Sequence, residues 1–435
     1  MEKPRNQDKR ERERCHNMGK LARFLFTSLG TITIFSFFIL YHSPNTFTFV
    51  PKQGLNSVVQ SHHDLLAVQD LDHNNTLLPK NQKEEEETCD LFTGRWVEDQ
   101  LGRSFYTNSS CTTIPDSKNC FKNGREDKDF LNWRWKPEKC ELPRFDAKNF
   151  LEMVRGKKMA FIGDSVARNH MESLLCVLSP EETPTDIYKD SEDRFGTWYF
   201  PRHDFTLMIL WTKFLVVGTE RMINGTGTSA FDLHLDKVDT SWSQFLPQLD
   251  YAIISDGHWF FRVMYLHKGD NLTGCVYCHE PNVTERDISV AVRMAFRAAF
   301  NHINNCENCS PGLVTLLRTF APAHFKNGAW NTGGYCNRTS PLNEAEADFG
   351  SFDWEMRNIQ VQEIKRAKKK KGKKFGVLDI TRAMLMRPDG HPGAHWGNKW
   401  MKGYNDCVHW CMPGPVDYWN DFLMAVIRKE SGLDS

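Results

Sequence analysis

The stretch 158–178, KMAFIGDSVARNHMESLLCVL, joins a short apolar run to a serine-containing turn and a helix-like segment. The apolar residues 159–162 have the length of a buried strand. After Gly163, Asp164 and Ser165 the pattern continues with helical spacing. A serine at a strand-to-helix turn exposes its hydroxyl beside unpaired helix N–H groups, an arrangement typical of a nucleophile next to an oxyanion site. Alternatively, Asp164 or Ser165 only caps the helix.

A second candidate motif lies near the C-terminus, where Asp406 and His409 are three positions apart. At that spacing a carboxylate can orient an imidazole on one side of a turn. Together with Ser165, these residues supply the three residue types of a Ser-His-Asp triad. Such a triad is recognised by its geometry and by the catalytic roles of its residues. Taken alone, an Asp-x-x-His pair is as typical of a structural or metal-binding turn.

The N-terminal 88 residues differ in composition from the rest of the chain. Residues 1–23 are polar and basic, and residues 24–41 form an uncharged run of 18. That length predicts one membrane-spanning signal anchor, although a cleavable signal peptide is the competing interpretation. The basic flank predicts a cytoplasmic tail and a lumenal remainder, as in a type II membrane protein. Residues 42–88 end in four glutamates and are typical of a solvated stem.

Cysteine usage supports a lumenal location, because 12 of the 13 cysteines follow the anchor and suit disulfides in an oxidising compartment. Two Cys-x-x-Cys pairs, at 275–278 and 306–309, also fit a four-cysteine zinc site, and Cys176 fits a free core thiol. The preferred interpretation has no metal. The formal net charge of zero gives no indication of nucleic-acid binding. Candidate N-glycosylation sequons occur at Asn74, Asn108, Asn224, Asn271, Asn282, Asn308 and Asn337.

Residues 89–142 are predicted to form a small disulfide-rich module, with four cysteines at 89, 111, 120 and 140 among several aromatic residues. Its charged and aromatic side chains suit contact with a polysaccharide. They equally suit a seal against the main domain.

Residues 143–430 alternate between strand-like and helix-like segments, which predicts a parallel sheet covered by helices. Beyond the Ser165 unit, strands are expected in 205–217, 250–255, 313–320 and 375–380, and helices in 288–303 and 416–427. Sites in such domains lie at the carboxyl ends of strands, where both Ser165 and the segment 255–259 fall. No Gly-x-Gly-x-x-Gly nucleotide motif follows a strand.

Four segments carry a family resemblance: CDLFTGRW at 89–96, RWKPEKCELPRF at 134–145, GDSVARNH at 163–170 and DCVHWCMPGPVDYWNDFL at 406–423. In this order they resemble the plant trichome-birefringence-like family, and the detailed phrasing is similar to its xyloglucan and mannan acetyltransferase branch. The resemblance implies a cysteine-rich N-terminal module at 89–142. It also implies a PC-esterase domain at 143–430, an SGNH-like three-layer α/β/α fold with a parallel sheet.

By this resemblance Ser165 is the nucleophile, His409 the general base and Asp406 its orienting partner. Near-site residues would be Gly163 and Asp164, with Arg168 or Asn169 as candidate helpers beside backbone N–H groups in holding the oxyanion. For Arg168, an exposed helix arginine without a role in the site is the alternative. The wider superfamily uses a Gly-x-Asn-Asp block at this point. Here the corresponding stretch is 256–259, Asp-Gly-His-Trp, so the Asn donor is missing. The residues expected near the polysaccharide acceptor are His258, Trp259, Asp389 and His391. For Asp389 and His391, stabilisation of a turn is the alternative.

The resemblance implies a Golgi enzyme that transfers acetyl groups to hydroxyls of a cell-wall hemicellulose. Xyloglucan is favoured over mannan or glucomannan. The enzyme would hold no bound cofactor but would need an acetyl donor, either acetyl-CoA or another acetyl carrier, and a membrane partner that supplies acetyl groups is plausible. An acetylesterase would use the same triad with water as acceptor. A polysaccharide-binding protein without activity would not need the three residues together.

Overall fold

The structure, a computed structural model, describes residues 89–99, 105–370, 372–398, 401 and 403–432. These belong to one unit, Lys83–Ser435. The predicted tail, anchor and stem lie outside the described residues, as does Asn74. In the described ranges, no helix combines the length and apolar character needed to cross a bilayer.

The elements follow the expected alternation, with additional strands in the middle of the chain. The strands are β1 (Gly94–Glu98), β2 (Trp133–Pro137), β3 (Lys158–Gly163), β4 (Thr185–Lys189), β5 (Phe195–Phe200), β6 (Phe205–Trp211), β7 (Val216–Ile223), β8 (Thr226–Val238), β9 (Tyr251–Ser255), β10 (Met264–Lys268), β11 (Asn271–Val276), β12 (Val314–Arg318) and β13 (Lys374–Leu378). The helices are α1 (Ala147–Met153), α2 (Ser165–Leu178), α3 (Thr240–Ser243), α4 (Ile288–Asn304), α5 (Phe352–Lys368), α6 (Thr381–Leu385) and α7 (Tyr418–Ser431).

A seven-stranded sheet, in the order β13-β12-β9-β3-β6-β5-β4, forms the centre of the domain. The five strands from β13 to β6 are parallel, as predicted. The prediction of a purely parallel sheet was wrong at one edge, because β5 and β4 are antiparallel. The link between β5 and β6 holds only four residues, 201–204, too short for the crossover that a parallel pair requires.

Side chains on β3 alternate between two hydrophobic cores. Met159 and Phe161 face the core that contains α2 and α7. Ala160 and Ile162 face the core that contains α4 and α5. The central sheet is therefore covered on both faces, as a three-layer α/β/α domain requires.

A second sheet of four strands, in the order β11-β10-β8-β7, was not predicted. Much of β7 is exposed, so its sequence lacks the apolar run of a buried strand. The β7–β8 hairpin turns at Asn224 and Gly225, which both have positive φ, 50° and 78°. An Asn-Gly pair between strand-like segments is a hairpin signal that the sequence carried.

Twelve cysteines form six disulfides. Cys176 bonds Cys111, so its assignment as a free thiol was wrong. Each Cys-x-x-Cys pair closes its own disulfide, in place of the alternative shared zinc site. The pairs are Cys89–Cys140, Cys111–Cys176, Cys120–Cys411, Cys275–Cys278, Cys306–Cys309 and Cys336–Cys407.

The aromatic residues of the N-terminal segment seal it against the main domain. Trp96 is buried and donates a hydrogen bond to the Ala383 carbonyl at 2.7 Å. Trp135 and Phe130 are each 1% exposed. Of the two interpretations of these side chains, the structure supports packing over polysaccharide contact for these three.

A buried carboxyl in α7 makes stability depend on pH. Burial raises the pKa of Asp421 to about 7, whereas an unfolded aspartate titrates near about 4. Between these values the folded state binds more protons, so the ionising carboxyl lowers the free energy of unfolding as pH rises. Asp421→Asn cannot ionise, and its amide oxygen can still accept from the Phe145 N–H, 2.8 Å from Oδ1 in the native protein.

We therefore expect Asp421→Asn to gain stability relative to the native protein from pH 4 to pH 7, by up to about 4 kcal/mol. Urea unfolding of both proteins across this range measures the difference. The exposed Asp129→Asn serves as a control that should show no such gain. A stability difference that stays constant with pH would contradict the assignment.

Candidate active site

The turn that carries Ser165 is fixed by a close approach between two strands. Gly163 ends β3 with φ of 149°, and a Cβ there would lie 1.6 Å from the Ser255 carbonyl oxygen on β9. Only glycine fits this position. Asp164 then caps α2, its Oδ1 accepting from the Val166 N–H at 2.9 Å. The turn leaves Ser165 partly exposed as the first residue of the helix.

Ser165, His409 and Asp406 form a continuous hydrogen-bonded series. His409 Nε2 is 2.8 Å from Ser165 Oγ, and His409 Nδ1 is 2.8 Å from Asp406 Oδ2. The other oxygen of Asp406 accepts from the N–H groups of Val408 and His409, both at 3.0 Å. The structure thus brings together all three residues expected from the sequence in the geometry of a Ser-His-Asp triad.

Electrostatics keep Asp406 ionised. Burial acts to raise the pKa of this carboxyl, but the charge of His409 and the hydrogen bonds from its side chain and backbone outweigh it. The pKa of Asp406 is therefore well below its usual range. An ionised Asp406 holds the proton on His409 Nδ1 and leaves Nε2 to accept the serine proton.

The segment that carries His409 is held from several sides. Asn169 Oδ1 accepts from the Trp410 N–H at 2.8 Å. His391 Nδ1 donates to the His409 carbonyl at 2.7 Å, and its Nε2 lies 2.7 Å from His324 Nδ1. Asn169 was expected near the oxyanion, and its oxygen positions the residue after the base, whereas its buried Nδ2 has no partner in the described residues. Its place four residues after Ser165, on the same helix face, is a signal that sequence reasoning could have used.

Beneath the nucleophile lies a buried charged network. The His258 N–H donates to Asp164 Oδ2 at 3.1 Å, and its Nδ1 is 3.3 Å from that oxygen. Burial acts to raise the pKa of Asp164, but His258 and the charge of Arg318 bring it well below its usual range. In contrast, burial and the nearby Asp164 charge raise the pKa of Asp256 well above its usual range. Asp164 therefore supports the turn as an anion, and the same surroundings favour the neutral form of Asp256.

Backbone and side-chain donors near Ser165 differ in availability. The Val166 N–H is bonded to Asp164. Among the described residues, no acceptor is bonded to the Ser165 N–H, so that group is open to a bound oxyanion. Arg168 reaches towards Asp193, with Nη1 3.8 Å from Oδ2, and its buried Nε has no partner in the described part of the chain.

Three of the four residues expected near the acceptor direct their polar groups into the protein. His258 stacks on Phe320 with ring centroids 4.5 Å apart. Asp389 forms an ion pair with Arg387 at 2.8 Å, both side chains 0% exposed. His391 is 4% exposed. Their polar groups are bonded within the protein, which for Asp389 and His391 fits the alternative of a stabilised turn. Contact of the three residues with the acceptor stays a prediction.

Trp259, the fourth, is partly exposed. Six predicted sequons lie in the described residues. Asn108 is half-buried, and the other five are exposed: Asn224, Asn271, Asn282, Asn308 and Asn337.

Removing the Asn169 side chain should loosen the position of His409, although Asn169 bonds the neighbouring Trp410 rather than His409 itself. In Asn169→Ala the Trp410 N–H loses its acceptor, and the base loses one restraint. We expect about a tenfold fall in the maximal rate at which a fluorophosphonate reagent labels Ser165, with the reagent's apparent affinity nearly unchanged. Mass spectrometry of the labelled peptide measures both quantities. The exposed Asn149→Ala is the matched control. An unchanged maximal rate for Asn169→Ala would remove Asn169 from this role.

Comparison with known proteins places this geometry in a family. The model of the PC-Esterase family, described as a GDSL/SGNH-like acyl-esterase family found in Pmr5 and Cas1p, matches residues 142–426. The PMR5 N-terminal domain model matches residues 87–141.

Relatives match over 79% to 98% of the chain. Xyloglucan O-acetyltransferase 4 of Populus trichocarpa is 60% identical over 96% of this chain and 95% of its own length. Xyloglucan O-acetyltransferase 2 of Arabidopsis thaliana is 52% identical over 98% of this chain and 97% of its own length. Protein trichome birefringence-like 19 of Arabidopsis thaliana is 44% identical over 79% of this chain and 82% of its own length. The family resemblance is confirmed: this chain belongs to the PC-Esterase family of GDSL/SGNH-like acyl-esterases and carries a PMR5 N-terminal domain.

Proposed function

We propose that this protein is a polysaccharide O-acetyltransferase that acetylates hydroxyls of xyloglucan, on its galactosyl side chains, through an acetyl-Ser165 intermediate. The observation that carries this proposal is the hydrogen-bonded Ser165–His409–Asp406 series at the carboxyl edge of the sheet. The names of relatives at 52% and 60% identity support the acceptor and the transfer reaction.

In the first half-reaction Ser165 Oγ attacks the carbonyl carbon of the acetyl donor. His409 Nε2 takes the serine proton as the Oγ–carbon bond forms. The bond between the acetyl carbon and the donor's leaving atom then breaks, and His409 returns the proton to that atom. The products are acetyl-Ser165 and the deacetylated donor, so atoms and charge balance.

In the second half-reaction a sugar hydroxyl attacks the acetyl-serine ester. His409 Nε2 accepts the hydroxyl proton while the sugar oxygen bonds to the acetyl carbon, and passes it to Ser165 Oγ as the serine ester breaks. In both half-reactions the negative charge that develops on the acetyl oxygen must be stabilised by a hydrogen-bond donor of the protein. The open Ser165 N–H supports that role, with Arg168 as a second candidate.

An acetylesterase would replace the sugar hydroxyl with water. The triad serves both reactions, so the difference lies in acceptor binding and water exclusion. The relatives' names favour transfer over hydrolysis, and xyloglucan over mannan or glucomannan.

The proposed setting is the Golgi lumen, with the chain anchored by one type II helix at residues 24–41. The uncharged run in the sequence and the six disulfides support it, because disulfides form in oxidising compartments. The proposed partners are the hemicellulose acceptor and a membrane protein that supplies acetyl groups. The acetyl donor is acetyl-CoA or another carrier.

The Ser165→Ala variant tests the proposal. Full-length protein is incubated with an acetyl donor and, separately, xyloglucan and mannan oligosaccharides, and each product is examined for the mass of one added acetyl group. We expect acetylation of xyloglucan, and a fall of at least about 10³-fold in Ser165→Ala because no acyl-enzyme forms. The exposed Ser340→Ala should match the native protein.

Other outcomes contradict specific parts of the proposal. Acetylated mannan without acetylated xyloglucan would contradict the acceptor. Donor consumption without any sugar product would indicate an esterase. Undiminished activity in Ser165→Ala would overturn the role of the triad.

A further inference from the structure

Four basic side chains and two tryptophans cluster beside the nucleophile. We call this cluster the basic patch, and its members are Arg168, Arg194, Lys213, Arg262, Trp211 and Trp259. Neither the proposed chemistry nor a neutral polysaccharide requires so many cations.

Strand register places the basic patch at the same edge of the sheet as Ser165. Trp211, the last residue of β6, pairs with Gly163 on β3, and the next N–H, that of Thr212, donates to the Gly163 carbonyl at 2.9 Å. Lys213 follows directly. Trp259 follows His258, whose N–H donates to the cap residue Asp164.

The remaining cations approach from neighbouring segments. Arg168 lies on α2, one turn after Ser165, and its Nη1 is 3.8 Å from Asp193 in the turn between β4 and β5. Arg194 follows Asp193 in that turn, and its guanidinium carbon is 5.9 Å from the Trp211 ring centroid. The nucleophile therefore has cations on its own helix and on the adjacent hairpin.

Three cations of the basic patch lie over the tryptophan rings. The two rings meet edge to face at 5.7 Å. Lys213 Nζ lies 4.8 Å and the Arg262 guanidinium carbon 4.4 Å from the Trp259 centroid. These distances are typical of cation–π contacts. With both cations over its ring and other aromatic rings at its edge, Trp259 is poorly suited to stack on a sugar.

Acidic groups compensate only part of this charge. Arg194 pairs with Glu192, and Arg168 is near Asp193. Among the described residues, no carboxylate oxygen lies within 4 Å of the charged nitrogens of Lys213 or Arg262, and the more distant charge of Glu220 acts on both.

The basic patch contains hydrogen-bond donors without partners and like charges close to one another. The buried Nε atoms of Arg168, Arg194 and Arg262 have no partner in the described ranges. Burial lowers the pKa of Lys213, Glu220 opposes this, and the charges of Arg262 and Arg194 lower the pKa further. Like charges held together with incomplete compensation are stabilised by a bound anion.

We propose that the basic patch binds a phosphate group of the acetyl donor. This rests on the proposed function, since it assigns one substrate of that reaction to a surface beside Ser165. Xyloglucan, the proposed acceptor, is uncharged and gains nothing from four cations, whereas the arginine fork and the lysine ammonium both match phosphate oxygens. The two half-reactions then use separate surfaces, one cationic for the donor and one for the neutral acceptor.

Binding of donor-like probes tests this without any chemistry. Coenzyme A and inorganic pyrophosphate are titrated calorimetrically into the full-length protein, native and with Lys213→Gln, Arg262→Gln or both. We expect each substitution to weaken binding of both probes about tenfold and the double variant to weaken it further. Lys148→Gln, which removes the same charge from an exposed position on α1, should change binding less than twofold.

The outcomes separate this inference from the proposed function. Equal affinity for the two probes supports recognition of phosphate alone, and tighter binding of coenzyme A supports an added nucleotide contact. Absent binding, or binding unaltered by both substitutions, overturns the inference even where Ser165-dependent acetylation is intact. Loss of affinity for a xyloglucan oligosaccharide in Lys213→Gln or Arg262→Gln would also overturn it, by assigning the patch to the acceptor. Failure of Ser165→Ala to lose activity would overturn the function and leave the binding result standing.

Discussion

The 2.8 Å hydrogen bond between Ser165 and His409 joins residues 244 positions apart, and much of the surrounding structure serves to hold it. Ser165 is the first residue of α2, directly after a turn, and His409 lies in a bend outside the helices and strands. The serine side is fixed by the sheet, because Gly163 lies against the Ser255 carbonyl and no larger residue fits. The histidine side is held by an isolated backbone bridge between Asp406 and Gly393, by side chains and by disulfides.

The N-terminal segment supplies part of that support, which gives it a structural role in the site. Cys120 bonds Cys411, two residues after His409. The Met412 N–H donates to the Lys118 carbonyl at 2.9 Å. Arg125 donates to the carbonyls of Asp389 and His391, at 2.8 and 3.2 Å. Through these contacts the PMR5 N-terminal domain holds the segment that carries His409. The two regions matched by family models therefore pack as one unit.

Much of the central sheet and all three triad residues could be predicted from the sequence. The strands β3, β9, β12 and β13 are rich in apolar residues, and Ser165 lies two positions after the end of β3. Helix α5 was missed, because Gln360 and Glu363 occupy buried positions where a helical pattern expects apolar residues. Gln360 is satisfied there by hydrogen bonds to Phe320 and Asp256. Such compensation depends on tertiary contacts, which a single sequence does not display.

The residues assigned to the acceptor show the same limit. His391 and Asp389 are polar and lie in a loop, features that favour a surface role. Their partners, the His409 carbonyl and Arg387, turn them inward. Cysteine pairing was likewise open, since the spacing of the cysteines is compatible with many connectivities. Only the fold brings Cys111 to Cys176 and Cys120 to Cys411.

The central claim is that acetyl groups pass through Ser165. Its most direct test is to incubate the full-length protein with acetyl donor in the absence of acceptor, quench it with acid and map acetylation by peptide mass spectrometry. The account predicts one acetyl group on Ser165, which disappears when xyloglucan oligosaccharide is added and reappears on the sugar. An acetylated sugar formed with no acetyl-Ser165 at any time, or an acetyl group on a different residue that discharges to the sugar, would contradict it.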